Sequence, residues 1–420
     1  MTDLERLGRK ITVVLFAEQG LASAAFIAAA TLNAIVATKL AGNASLAGVP
    51  SAVYLLAGAF AAFGWGVLND TLGRRRALVL GLLIGSLGSG VAFFAIAARS
   101  LTAFLAGMLL MGVANAAVQL ARFIAAEVNL PEARGRAISQ VVLGGTVGSV
   151  VGPFVAGPAG KFFEAFAGDE LAGAYAISVL LFLVGAVVVF IGLKPDPSQI
   201  GRELAARWDT PSAAADRPEA RARVRSVREI FSQPAAAVAL TAMVVGQLVM
   251  VLVMVITSLH MKDHQHALGD ISIVISAHTF GMYAFSVFSG QLVDRWGRGP
   301  VIIAGASTLV VACLAATLSP DVLPLGVALF FLGLGWNFCY VGGSTLLADQ
   351  LSPQERARTQ GSNDLLVGLA SAVGSLSSGL IFAAVGYVVM AYVSATLALL
   401  PLLVTAVWYR GRVQAAQLAS

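Results

Sequence analysis

Residues 66–76 read Gly66-Val67-Leu68-Asn69-Asp70-Thr71-Leu72-Gly73-Arg74-Arg75-Arg76, and 224 residues later the pattern returns as Gly290-Gln291-Leu292-Val293-Asp294-Arg295-Trp296-Gly297-Arg298. Gly, Leu, Asp, Gly and Arg keep their spacing in both copies. A second element, Glu127-x-x-x-Pro131-x-x-Arg134-x-Arg136, returns as Asp349-x-x-x-Pro353-x-x-Arg356-x-Arg358 at a shift of 222 residues. Two elements repeating at nearly one offset mean a chain of two halves with the same orientation.

Outward from these loops the chain is apolar. Hydrophobic types make up 58% of its 420 residues and charged types 12%, against about 25% charged in soluble domains. Each membrane span needs about 20 apolar residues. Apolar runs between turn and charge signals predict twelve spans: 11–38, 46–68, 77–98, 101–127, 137–159, 173–193, 235–258, 271–293, 300–318, 323–348, 359–384 and 387–409. The first run extends well past the apolar stretch of a signal peptide and lacks a clean cleavage site. The predicted fold is therefore an all-α polytopic membrane protein. Its organisation is an N-terminal six-helix half (1–193), a linker (194–234) rich in Ala, Arg, Asp and Pro, and a C-terminal six-helix half (235–420).

Charge sets the expected orientation. One side holds Arg6, Arg9, Lys10, Arg74, Arg75, Arg76, Arg134, Arg136, Arg295, Arg298, Arg356, Arg358, Arg410 and Arg412, together with Lys194 and the seven arginines of the linker. The other holds only Lys39, Arg99, Lys161 and Lys262. The positive-inside rule then puts both termini in the cytoplasm. It also accounts for the net charge of +5 without nucleic acid. Cys313 and Cys339 fall inside apolar spans and have neither disulfide-framework nor zinc-site spacing. No P-loop is present, and histidines confined to one region leave no catalytic triad, so an enzyme is not expected.

The loop at Gly66, Leu68, Asp70, Gly73, Arg74 and Arg75 resembles the signature loop of the major facilitator superfamily, with Asn69 and Thr71 replacing a small and a basic residue. The resemblance covers the whole chain. It implies the major facilitator fold, twelve helices in two parallel halves, and gating by Gly66, Asp70, Gly73 and Arg74 with Gly290, Asp294, Gly297 and Arg298. Glycines let spans approach, and an Asp at a membrane boundary can meet a helix N-terminus or an Arg. Gly144, Gly148, Gly152, Pro153 and Gly157 of the fifth span resemble the Gly-rich antiporter motif of the same superfamily, with Ser139 and Ala156 where Gly is usual. Close helix packing with a proline kink explains them equally.

The second half has its own chemistry. All four histidines, and Met243, Met250, Met254, Met261 and Met282 of the nine methionines, fall between Met243 and Met282. Met250-x-x-x-Met254 and His278-x-x-x-Met282 each share one helix face. Counted from the outer surface, the four side chains reach a similar depth. Thioethers with an imidazole favour Cu(I). Between the two spans His260, Met261, Asp263, His264 and His266 form an outer loop suited to metal entry. Gln247-x-x-Met250-x-x-x-Met254 followed by His278-x-x-Gly281-Met282 resembles the paired motifs of CcoA-type (CalT group) copper importers, over roughly 40 residues. That resemblance implies Met250, Met254, His278 and Met282 as copper ligands. The residues alone leave three roles open: metal binding, proton coupling or organic-substrate contact, and packing, since Met is a common apolar filler.

Ionisable groups inside spans default to functional candidates, here Glu18, Arg122 and Asp364, with Glu18 and Arg122 near enough in depth to pair. Asn115, Gln119, Asn337 and Tyr340 are polar groups that would be costly against lipid and are expected toward a central pathway. The expected function is a secondary transporter of a small solute working by alternating access, taking up copper or another soft transition metal through the Met/His site, with Cu(I) as the transported substrate and no prosthetic group. The alternative is a proton-coupled exporter of small organic molecules or drugs. A proton gradient, a lipid surround, a monomeric state and a bacterial inner-membrane location complete the expectation. A non-transporting receptor on the same scaffold is disfavoured by intact loops in both halves.

Overall fold

The computed structural model describes residues 3–130, 133–208 and 225–419, and among them all regular structure is helical. In hydrocarbon every backbone N–H and C=O must be satisfied within the chain, which helices do by themselves. The helices are α1 (Asp3–Ala41), α2 (Val49–Leu72), α3 (Arg74–Ala97), α4 (Leu101–Val118), α5 (Ala121–Glu127), α6 (Arg134–Ala167), α7 (Gly173–Gly192) and α8 (Pro197–Trp208), then α9 (Val227–Phe231), α10 (Pro234–Asp263), α11 (Leu268–Tyr283), α12 (Ser286–Trp296), α13 (Arg298–Ala315), α14 (Val322–Ala348) and α15 (Pro353–Ala419).

Among the described residues, eleven helical stretches are long and apolar enough to cross a membrane, the last of them 55 residues long. That last stretch is two spans. Gly386, with φ +78°, breaks α15 where the sequence places the junction between 359–384 and 387–409. Twelve spans result. Two of the runs expected to be single are interrupted: α4 gives way to α5 around Gln119 and Leu120, and α11 to α12 around Ala284 and Phe285. Neither break carries the Pro or Gly that would mark it in the sequence.

The described residues fall into two compact units, one of residues 1–30 and 53–223, the other of 31–52 and 224–420. In the first, Phe104 packs edge-on to Tyr175 (5.4 Å) and Phe26 edge-on to Phe182 (4.9 Å). α6 lies against α1 with the backbones nearly touching. A Cβ at Gly144, Gly148 or Gly152 would come within 2.3 Å of Phe16 O, 1.9 Å of Gly20 O and 2.6 Å of Ala24 O respectively. The Gly-rich string of the fifth span is thus a packing seam at four-residue spacing. In the second unit the short stretch between α1 and α2 packs on α15, with Ser375 Oγ donating to Gly48 O at 2.8 Å. Large apolar side chains such as Phe60 (82% exposed), Phe94 (69%) and Leu318 (80%) face outward, as a lipid-facing surface requires.

The segment 194–234 is divided between the units. Its first part, with Pro195, Pro197 and α8, belongs to the first unit, and Arg225 onward to the second. Pro211 and Pro218 lie outside the described residues.

Candidate functional site

The two repeated elements meet inside each unit. Arg74 Nε donates to Glu127 Oε2 at 3.0 Å in the first, and Arg298 Nε to Asp349 Oδ2 at 2.8 Å in the second. One element supplies the arginine and the other the acid, in both copies. Gly73 and Gly297 stand just before α3 and α13 at φ +83° and +88°, a backbone region that an L side chain rarely adopts. Their glycine is therefore required by the turn. Gly66 and Gly290 do not bring backbones together, because a Cβ at either would meet nothing within 4 Å. Asp294 is exposed, and the side chain of Asp70 lies outside the described residues. Pro131 does as well.

The linker's ends are tied to these loops. Asp196 accepts from the backbone N–H of Arg75 (3.2 Å) and of Ser198 (3.0 Å). Burial raises its carboxyl pKa, but hydrogen bonds from Ser198, Arg75 and Arg74 outweigh that and hold it below the usual carboxylate value. In the second unit Arg225 donates from Nε and Nη2 to the two oxygens of Glu355 (3.0 and 2.8 Å) and from Nη2 to Gln350 O. Arg358 closes the clasp by donating to Arg225 O.

The Met/His region forms a different arrangement. Met250 and Met282 are buried in one cluster with Val251, against which Met254, Tyr283 and Trp336 pack half-buried. His278 is fully buried. Its Nδ1–H donates to Leu329 O of α14 at 2.9 Å, which fixes the tautomer and leaves Nε2 bare, without a hydrogen-bond partner. The imidazole thus lies in the α11–α14 seam, where a Cβ at Gly333 would fall 2.3 Å from His278 O. Beside the methionines stands a polar aromatic wall, in which Gln247 and Tyr340, both singled out in the sequence, are joined by Tyr283, Trp336 and Ser371. Trp336 Nε1 donates to Gln247 Oε1 (2.6 Å), and Gln247 Nε2 to Ser371 Oγ (2.8 Å). Trp336 stacks on Tyr340 with centroids 5.0 Å apart and planes 21° apart, and Tyr283 meets Trp336 edge-on at 6.1 Å. Gln247, Tyr283, Trp336 and Tyr340 are all half-buried. The four-residue spacing of Trp336 and Tyr340 was the available signal; Gln247 and Ser371 come from helices far apart in the chain.

Asn337 is buried and fully used. Its amide donates to Met282 O (2.6 Å) and Ser286 Oγ (3.0 Å) and accepts from Ser289, which secures the break between α11 and α12. In the first unit Glu18 is fully buried, and neither carboxylate oxygen has a hydrogen-bond partner. No hydrogen bond joins it to Arg122, whose guanidinium lies over Phe123 at 4.9 Å. Gln119 and Asn115 bond weakly to each other at 3.5 Å, and Asp364 is exposed beside Asn363. In the outer loop Met261 points into the core, while Asp263 and His264 are exposed. No group of three or more His, Cys, Asp or Glu side chains among the described residues is placed to hold a metal ion.

Two stretches of the chain, residues 14–267 and 238–418, match the family model described as Major Facilitator Superfamily. The chain is 33% identical over 408 residues to the uncharacterized MFS-type transporter YdeG of Bacillus subtilis, covering 97% of this chain and 93% of that one. It is 28% identical to the riboflavin transporter RfnT of Brucella anthropi, over 90% of each. Among solved structures, the nucleoside transporter NupG superposes with a TM-score of 0.69 at 15% identity, over 95% of this chain and 98% of that one. That likeness carries the fold alone.

Proposed function

The chain belongs to the Major Facilitator Superfamily and is a multi-pass membrane transporter, and on that premise we propose that it moves a small organic solute with a flat heteroaromatic ring by alternating access. The observation that carries this reading is the half-buried wall of Trp336, Tyr340 and Tyr283 with Gln247 held between Ser371 and Trp336. Aromatic faces offer a ring stacking worth about 0.5–1.5 kcal/mol per partner beyond burial. Gln247, fixed from both ends of its amide, offers the remaining lone pair of its carbonyl to a ring N–H. The likeness to a riboflavin transporter along nearly the whole chain makes the flavin ring system the first candidate. The basic loops face the cytoplasm in this reading, with both termini inside a bacterial inner membrane.

The test is uptake of radiolabelled riboflavin, with the label competed by other flat heterocycles, into cells lacking their own riboflavin transporter. Trp336→Ala is expected to lower uptake about tenfold, the loss of roughly 1.4 kcal/mol, while Trp336→Phe keeps most of it. Uptake in neither the native protein nor any competitor assay defeats the reading. A second reading, Cu(I) transport, has its own support in the bare buried Nε2 of His278 and the gathering of Met250, Met254 and Met282, a soft donor set. Radioactive copper run in the same assay separates the two, because this reading alone requires copper uptake that disappears in His278→Ala.

A further inference from the structure

At the end of α10 farthest from the basic loops, two histidines stand one helical turn apart. The His260 ring lies flat on Tyr387, with centroids 4.0 Å apart and planes 4° apart. Tyr387 is itself anchored through its hydroxyl to Thr257 at 3.0 Å, and it directly follows the Gly386 break in α15. The His264 ring is 4.4 Å from that of His260. His264 Nδ1–H donates to His260 O at 2.8 Å, so its Nε2 carries a free lone pair. A hydrogen bond from one imidazole nitrogen to a backbone carbonyl orients a histidine for metal ligation through the other nitrogen. Paired histidines at i and i+4 on one helix face are an established zinc-binding spacing.

We infer that this last turn of α10 holds a borderline divalent ion, Zn2+ or Cu2+, between His260 and His264. The site is separate from the methionine cluster and from the proposed cargo wall. Imidazole nitrogens bind such ions at about 2.0–2.1 Å, and two rings with centroids 4.4 Å apart lie within reach of one ion. His260 is already held by Tyr387, so one ligand is placed before the ion arrives. His264 is exposed between exposed Asp263 and Gln265, so the ion is reached from water and keeps water ligands. Two protein ligands make the site exchangeable. Its occupancy ties the loop to α10 and, through the His260–Tyr387 stack, steadies the junction of α10 with α15.

The experiment is titration of the purified full-length protein in nanodiscs with ZnCl2, read by calorimetry and by thermal unfolding. Saturable binding of one ion with a rise in unfolding midpoint is expected, because a ligand that binds only the folded state stabilises it. His264→Ala and His260→Ala should each weaken binding on the order of tenfold or more, and His278→Ala should leave it unchanged. Absence of saturable binding to the native protein overturns the inference. So does binding that survives His264→Ala or is lost in His278→Ala. Because copper uptake reads the copper proposal and zinc binding reads this one, failure of one is not failure of the other. A purely structural stack would change the midpoint in His264→Ala without any zinc dependence in the native protein, which also overturns it.

Discussion

Glu18 sits wholly buried in α1 with two carboxylate oxygens and no hydrogen-bond partner for either. Burying a carboxyl group inside a membrane protein is costly and marks proton relays and coupling sites. The glycine seam of α6 meets Phe16, Gly20 and Ala24, and Glu18 lies on the opposite face of that same helix. Substitution by Gln removes the ionisable proton and keeps the shape. Glu18→Gln is expected to abolish accumulation driven by a pH gradient while leaving cargo exchange at equal concentrations intact, measured in proteoliposomes with and without a protonophore. Unchanged gradient-driven accumulation would remove Glu18 from the coupling path. Its position inside a span was readable from sequence; its lack of a partner was not, because a pairing with Arg122 depends on where two helices separated by a hundred residues place their side chains.

The glycines of α6 act at the scale of the element. Their spacing in the sequence fits a motif associated with antiporters, but in three dimensions each one admits a backbone carbonyl of α1 where a side chain would stand. A methyl group at residue 148 would lie 1.9 Å from Gly20 O, and rigid backbone cannot yield as a flexible side chain can. Gly148→Val should therefore separate α6 from α1, costing about 1–3 kcal/mol or more by overpacking. The expected result is loss of monodisperse protein in detergent; Gly135→Ala, where a Cβ meets nothing within 4 Å, is the matched control. Elements also show where sequence reading stops. Spans are legible because apolar length is a direct demand of the bilayer, and Gly386 is legible as a junction. The break at Ala284 and Phe285 is not, since its cause is the Asn337 amide binding Met282 O and Ser286 Oγ from another helix. The wall of Gln247, Ser371 and Trp336 is equally hidden, because its members are neighbours only after α10, α14 and α15 have packed.

Across the whole molecule the repeat governs more than the loops in which it was first visible. Each half joins its two repeated elements by an arginine–acid bond, Arg74 to Glu127 and Arg298 to Asp349, and each begins the following helix from a glycine at positive φ. The second half also carries the clasp of Arg225 on Glu355. Its pH dependence follows from sign. The Arg225 side chain, followed by the Ser352 and Arg225 backbone N–H groups, holds the Glu355 carboxyl well below its ordinary value. A lowered folded-state value contributes stability fully present above the unfolded value, about 4.3, and lost as pH falls toward the folded one. The unfolding midpoint of the native protein should accordingly be flat from about pH 6 to 8 and fall below pH 4.3. Glu355→Gln should lower the plateau and shrink the acid limb; an identical acid limb in the variant would show that other carboxylates govern it.

The two ends of the linker, Asp196 and Arg225, are each fastened within a different unit. The covalent connection between them is thus not what closes either end. Each half ends in its own knot, so a gene cut between codons 209 and 224 and expressed as two polypeptides leaves both knots on the side where they belong. The second unit would still draw residues 31–52, with the Gly48 carbonyl that accepts from Ser375, from the first polypeptide.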